Sequence, residues 1–174
     1  MAFNQHRAVP GLSALVLSSI EQVAADSVRI GRDRTAQAVA DLSRLFTKDR
    51  AALNVGYLDH AAHAAAYLRY FLPVNLCKIR MLLDELPREW PDQGSGSSIR
   101  ILDVGSGPGV GSLAVLDWLH EHRPERIKDC TVVAVDASAD ALKQAGKLWE
   151  TYCRESGTTA GRLVTQEGNL ERMS

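Results

Sequence analysis

Two acidic residues and a run of glycines carry the chemistry that this sequence could perform. Residues 102–111 read Leu-Asp-Val-Gly-Ser-Gly-Pro-Gly-Val-Gly, so Asp103 stands two positions before Gly105, and glycine recurs at Gly107 and Gly109. Glycine allows a sharp backbone turn, and it lets a ligand approach the main chain with no Cβ in the way. Placed between a strand and a helix, such a turn sets a ligand against free N–H groups and the positive end of the helix dipole.

Spacing narrows the ligand. A dinucleotide fingerprint, G-x-G-x-x-G, would need its last glycine at Val110 if it began at Gly105, or at Ser112 if it began at Gly107. A nucleoside triphosphate loop needs a Lys directly after its glycines, and none stands there. What remains is D-x-G-x-G-x-G. A carboxylate beside the turn repels a pyrophosphate and attracts a cation. S-adenosyl-L-methionine carries an ammonium and a sulfonium and no phosphate. Asp103 therefore suits its ammonium, directly or through water, with Gly105, Ser106, Gly107 and Gly109 close beneath the ligand. The alternative reading is a tight strand-to-helix turn that holds nothing.

Further positions fit the same crevice. Asp136 ends a second apolar run, Thr-Val-Val-Ala-Val-Asp at residues 131–136, and an adjacent parallel strand would set it beside the turn. Its carboxylate can accept from both hydroxyls of a ribose. That feature is shared with nicotinamide-binding proteins, and a helix-capping Asp is the alternative. Ala137 and Ser138 would lie near the base. Asn169, in Glu-Gly-Asn-Leu at residues 167–170, has an amide that could pair with an adenine edge; a simple Asx turn is the alternative.

The elements that must hold these residues divide the chain. Residues 99, 101, 102 and 104 (Ile, Ile, Leu, Val) suit a buried parallel strand, and a helix over 110–120 follows. Residues 131–136 read as a second buried strand, Ser138 as the cap of a helix over 139–155, and residues 161–167 as a third strand. Strands alternating with helices imply right-handed βαβ units and a parallel sheet. Before them, apolar residues at helical spacing predict helices over 12–28, 33–46 and 57–70, and Pro73 predicts the opening of a fourth over 73–86. Residues 91–98 (Pro-Asp-Gln-Gly-Ser-Gly-Ser-Ser) read as a linker. The expected organisation is a helical region over 1–90, a linker over 91–98, and a Rossmann-like α/β domain over 99–174. Its partial parallel sheet would have about three strands.

Composition sets bounds. Of 174 residues, 45% are hydrophobic and 24% charged, with a net charge of −1, as expected of a globular chain rather than a disordered or generally polyanion-coating one. Residues 29–50 are locally basic, with Arg29, Arg32, Arg34, Arg44, Lys48 and Arg50 against Asp33, Asp41 and Asp49. That stretch reads either as a phosphate-contacting surface or as the solvated face of a helix. No apolar run approaches the roughly 20 residues of a membrane span, and no secretory signal is legible at the N-terminus. Cys77, Cys130 and Cys153 are odd in number and far apart, which suits a reducing cytoplasm. His60 and His63 would share a helix face, but no cluster completes a metal site, and none is expected.

With these residues in place, the sequence resembles the class I S-adenosyl-L-methionine-dependent methyltransferases. The resemblance rests on Asp-Val-Gly-Ser-Gly-Pro-Gly at 103–109, the apolar run ending in Asp136, and Gly168-Asn169. It implies that the glycine turn holds the methionine part, Asp136 the ribose and Asn169 the adenine. More narrowly, Ala-Ala-Tyr-Leu-Arg-Tyr-Phe-Leu-Pro at 65–73, ahead of the glycine turn, is similar to a passage in the methyltransferase-like family of small-ribosomal-subunit assembly. That likeness implies ribosomal RNA or a ribosomal particle as partner. By resemblance the family core has about seven strands, so the chain reads as a truncated methyltransferase domain. No residue is assigned a catalytic role. The alternatives are a non-catalytic cofactor-binding assembly module and a nicotinamide-dependent oxidoreductase.

Overall fold

Three runs rich in β-branched residues form one parallel sheet: β1 (Ile99–Val104), β2 (Cys130–Asp136) and β3 (Arg162–Glu167), in the order β1-β2-β3. The computed structural model describes residues 11–27, 32–49, 57–58, 60–86, 98–158 and 161–168. Ile101 pairs with Val132, and Val132 with Leu163, so these three side chains share one face. The register also aligns Val104 with Val135, and Asp136 with Glu167. The C-terminal strand ends, with Asp103 and Asp136 on them, therefore lie side by side.

The helices preceding the sheet are α1 (Ala14–Ser27), α2 (Arg32–Thr47), α3 (Ala61–Ala66) and α4 (Leu72–Leu83). Within the sheet, α5 (Val110–His122) links β1 to β2 and α6 (Ala139–Ser156) links β2 to β3. Both crossovers step the same way along the sheet, so right-handed connections set α5 and α6 on one face. The class is α/β with an α-helical N-terminal region, as the sequence predicts. A short 3₁₀ turn, Pro124–Asp129, ahead of β2 was not anticipated.

On α1, Val16, Ile20, Val23 and Ala24 are buried along one stripe, which packs on α6. α4 packs on α5. Residues 112–119 of α5 are buried all round, as befits a helix between neighbours and sheet. One apolar core runs through both regions, from Val16, Leu42, Leu68 and Leu76 to Leu113, Val132 and Tyr152.

Two expectations change. Pro73 does not open a separate helix: Ala61 to Leu83 is continuous, with Pro73 in the first turn of α4 and a π turn, Tyr67–Phe71, just ahead of it. Proline has no N–H to give the carbonyl four residues back and crowds it, so the ladder widens there rather than breaking. The Leu72 N–H accordingly reaches Tyr67 O, five residues back. Second, β1 is not buried on both faces. Ile99 and Ile101 face the core, whereas Leu102 is 65% and Val104 45% exposed. An apolar strand looks alike whether one face or two are covered, so this could not be read from residue types. No helix of the described residues is long and apolar enough to cross a membrane. Residues 91–97 of the linker, Arg29 and Arg50 of the basic stretch, and Asn169 lie outside the described residues.

Candidate functional site

The glycine turn leaves β1 and enters α5, as expected, and Gly105, Gly107 and Gly109 all take positive φ, at 65°, 51° and 85°. Side-chain-bearing residues rarely adopt this region. The three glycines are not equivalent. A Cβ at Gly105 would meet open space; one at Gly107 would lie 3.8 Å from the Tyr67 hydroxyl; one at Gly109 would lie 2.9 Å from Ala145 Cβ. Gly109 thus permits close packing of the turn on α6, and Gly105 is exposed.

Asp103 reaches under the first turn of α5. Its Oδ2 accepts the Ser112 N–H at 2.8 Å and the Ser112 hydroxyl at 2.7 Å. The approach is so close that a Cβ at Gly111 would lie 2.7 Å from Asp103 Oδ1. Gly111, quoted with the motif but given no role there, is therefore the residue that makes room for this carboxylate. Asp136 joins turn to sheet: Oδ2 accepts the Gly107 N–H and Oδ1 the Ser138 N–H, each at 2.8 Å. Ser138 caps α6, its hydroxyl accepting the Ala141 N–H at 3.2 Å. Asp136 and the adjoining Ala137 are half-buried. Ser106 is 2% exposed, and its hydroxyl has no partner among the described residues.

Most of the N–H groups of the turn are not free, contrary to the reading from sequence. Gly105 and Ser106 donate to Val135 O at 2.8 and 3.1 Å, and Gly109 and Val110 donate to Ser106 O at 2.8 and 3.3 Å. Gly107 and Ser112 donate to the two carboxylates, and Pro108 has no N–H. A chain this tightly folded on itself satisfies most of its own donors.

Sequence reasoning gave no site role to the aromatic group that meets the turn. Tyr67, on the π turn, stacks with Phe71 at 5.9 Å, while Phe46 stands edge-on to Tyr57, Tyr67 and Phe71 at 5.5, 6.4 and 5.1 Å. Burial, the hydroxyl of Tyr67 and then the charge of Asp136 hold the Tyr57 phenol well above its usual range. Burial raises the Tyr67 phenol too; the Asn75 side chain, hydrogen-bonded to it, pulls the other way, and Asp136 and Asp103 add to the rise. Both tyrosines therefore stay protonated beside two carboxylates. The signal for Tyr67 lay in the passage of tyrosines before Pro73. His60 and His63 stand edge to face at 5.5 Å, and no metal-holding group of three or more ligands occurs among the described residues.

Compared with known proteins, the chain matches no family model and no curated sequence.

Proposed function

We propose that this chain is an S-adenosyl-L-methionine-dependent methyltransferase domain. The observation that carries this reading is what Asp103 does at α5. It takes the Ser112 N–H and hydroxyl, part of what an anion would use at a helix N-terminus. With the N–H groups of Gly105, Ser106, Gly107, Gly109 and Val110 bonded internally, a phosphate would find few donors and two carboxylates. A cationic ligand would find favourable charge. This supports a sulfonium donor over a nicotinamide dinucleotide.

The residues fit that donor in other respects. Gly105 opens on space. Asp136 uses one acceptor position on each oxygen, and a carboxylate has about four, so it retains acceptors for ribose hydroxyls. Asn169 remains the proposed adenine contact. When bound, the cofactor supplies a methyl group on a sulfonium; the chain supplies binding and orientation.

Action on ribosomal RNA or within a ribosomal particle is the narrower proposal, supported by the place of Tyr67, from the tyrosine-and-proline passage, against the turn. A cytoplasmic setting suits the three free thiols. The second reading keeps cofactor binding without catalysis, as an assembly module. Calorimetry with S-adenosyl-L-methionine, its demethylated product and NAD tests the site: the first two bind, and preferential binding of NAD overturns the reading. Asp136→Ala weakens the donor; unchanged affinity in a folded variant removes the ribose assignment. Methyl transfer to RNA distinguishes the enzyme from the assembly module.

A further inference from the structure

We infer that Tyr67 recognises the carboxylate of an α-amino-acid ligand at the glycine turn, acting as a ligand-contacting residue brought to the sheet by the N-terminal helices. The inference rests on the proposed donor site and specifies how its zwitterionic end is held.

Such a ligand end carries an ammonium and a carboxylate side by side. The ammonium is served by Asp103, but this carboxylate and that of Asp136 repel the ligand carboxylate, which needs a donor. Most of the backbone donors of residues 105–112 are taken: the N–H groups of Gly105, Ser106, Gly109 and Val110 go to Val135 O and Ser106 O, and those of Gly107 and Ser112 go to the aspartates. The Tyr67 hydroxyl lies 3.8 Å from where a Cβ of Gly107 would stand, so it borders the turn itself. The Asn75 side chain beside that hydroxyl offsets part of the effect of burial. A phenol carries one proton to donate. Burial and the two aspartates keep that proton on the oxygen, so Tyr67 is a donor throughout the neutral range. A neutral donor is also the kind that suits this place, since it holds an anion without cancelling the negative field that attracts the ammonium and sulfonium.

The π turn has a part in this. Tyr67 is its first residue, and the ring is fixed by Phe71 stacked on one side and Phe46 edge-on, so the hydroxyl is held in place before any ligand arrives.

The test uses the 174-residue chain and two ligands that differ only in the group at issue, S-adenosyl-L-methionine and its decarboxylated form, measured by calorimetry. Tyr67→Phe keeps the ring and removes the donor. It should weaken S-adenosyl-L-methionine roughly tenfold to a hundredfold, as loss of a hydrogen bond to a charged group does, and leave the decarboxylated ligand within about twofold. Asn75→Ala, which frees the hydroxyl to turn away, should show a smaller loss with the same ligand dependence and serves if Tyr67→Phe misfolds. Tyr70→Phe, on the same turn but 51% exposed, should change neither affinity. Equal losses for both ligands, or no loss for either, overturn the role of Tyr67 while leaving the donor site standing. Failure of the unaltered chain to bind either ligand overturns the functional reading and this inference with it.

Discussion

Asp117 is 1% exposed in the middle of α5, and replacing it is the sharpest test of how the helices are held over the sheet. Its Oδ1 accepts the Ser13 hydroxyl at 2.5 Å and the Tyr152 hydroxyl at 2.9 Å, and its Oδ2 pairs with Arg80. Ser13 in turn caps α1, taking the Val16 N–H at 3.1 Å. One carboxylate therefore joins the start of α1 to α4, α5 and α6. Arg80 has a second partner in Glu121, whose carboxyl is held below its usual range chiefly by that hydrogen bond. Breaking a buried pair from one side costs about 3–5 kcal/mol. Asp117→Asn keeps the shape and Glu121 still offsets part of the stranded charge, so the lower end, about 3 kcal/mol, is expected. For a chain of this size that is a fall in Tm of roughly 6–12 °C, read by calorimetry or by urea unfolding with unchanged m-value. Removing all three buried polar groups together, in Arg80→Met/Asp117→Leu/Tyr152→Phe, should return stability to within about 2 kcal/mol of the parent, since apolar groups of similar volume leave no charge uncompensated. A loss below about 1 kcal/mol for Asp117→Asn, within the range of an exposed pair, would refute the reasoning.

Two neighbouring glycines should respond in opposite directions to alanine. At Gly109, φ is +85° and the new Cβ would lie 2.9 Å from Ala145 Cβ. The left-handed backbone and the overlap together should cost about 2–4 kcal/mol in denaturant unfolding, and a neutral result would mean that the turn can rearrange. At Gly146, inside α6, a Cβ meets nothing within 4 Å; alanine should stabilise by about 0.5–1 kcal/mol through helix propensity. Alkaline pH should weaken the fold early. Burial pushes the Cys130 and Cys153 thiols up to about 11 and raises the Tyr57, Tyr67 and Tyr152 phenols. Their folded values lie above their unfolded ones. The stability is thus complete below the ordinary thiol value of about 8.5 and is lost as pH climbs toward the folded values. Tm measured between about pH 7 and 10.5 should fall steadily over its upper half, and a flat profile would contradict the burial of these groups.

The two halves of the candidate site differ in how much the sequence discloses, for a physical reason. The glycine turn, the acid before it and the acid ending β2 are local features: a strand end, a tight bend and a helix start each demand particular residue types at fixed offsets, so Gly105, Gly107, Gly109, Asp103 and the Ser138 cap could be placed from their neighbours. Whether the turn's N–H groups are free depends on where β2 lies, because Val135 O takes two of them, and strand order is not a local property. The same holds for Tyr67 and for Arg80 with Asp117, whose partners lie 37 or more residues away. A trace of the latter was present: a lone carboxylate within the apolar run Leu-Ala-Val-Leu-Asp-Trp-Leu at 113–119 must find a buried cation or hydroxyls.

These two halves are mechanically one. The helix that carries Tyr67 on its π turn continues into α4, where Arg80 grips Asp117 on α5, and the first turn of α5 is where Ser112 holds Asp103. The donor hydroxyl and the acidic seat are therefore joined through a buried ion pair as well as through the glycine turn between them. Loosening that pair at a temperature where the chain stays folded should blunt discrimination for the ligand's carboxylate, because Tyr67 would lose its fixed place over Gly107. It should spare the attraction for the positive charge, because Asp103 and Asp136 keep their own bonds to the turn. In the two-ligand calorimetric comparison, Asp117→Asn should accordingly shift the decarboxylated ligand less than the intact one, and equal shifts would show that helices and turn respond independently.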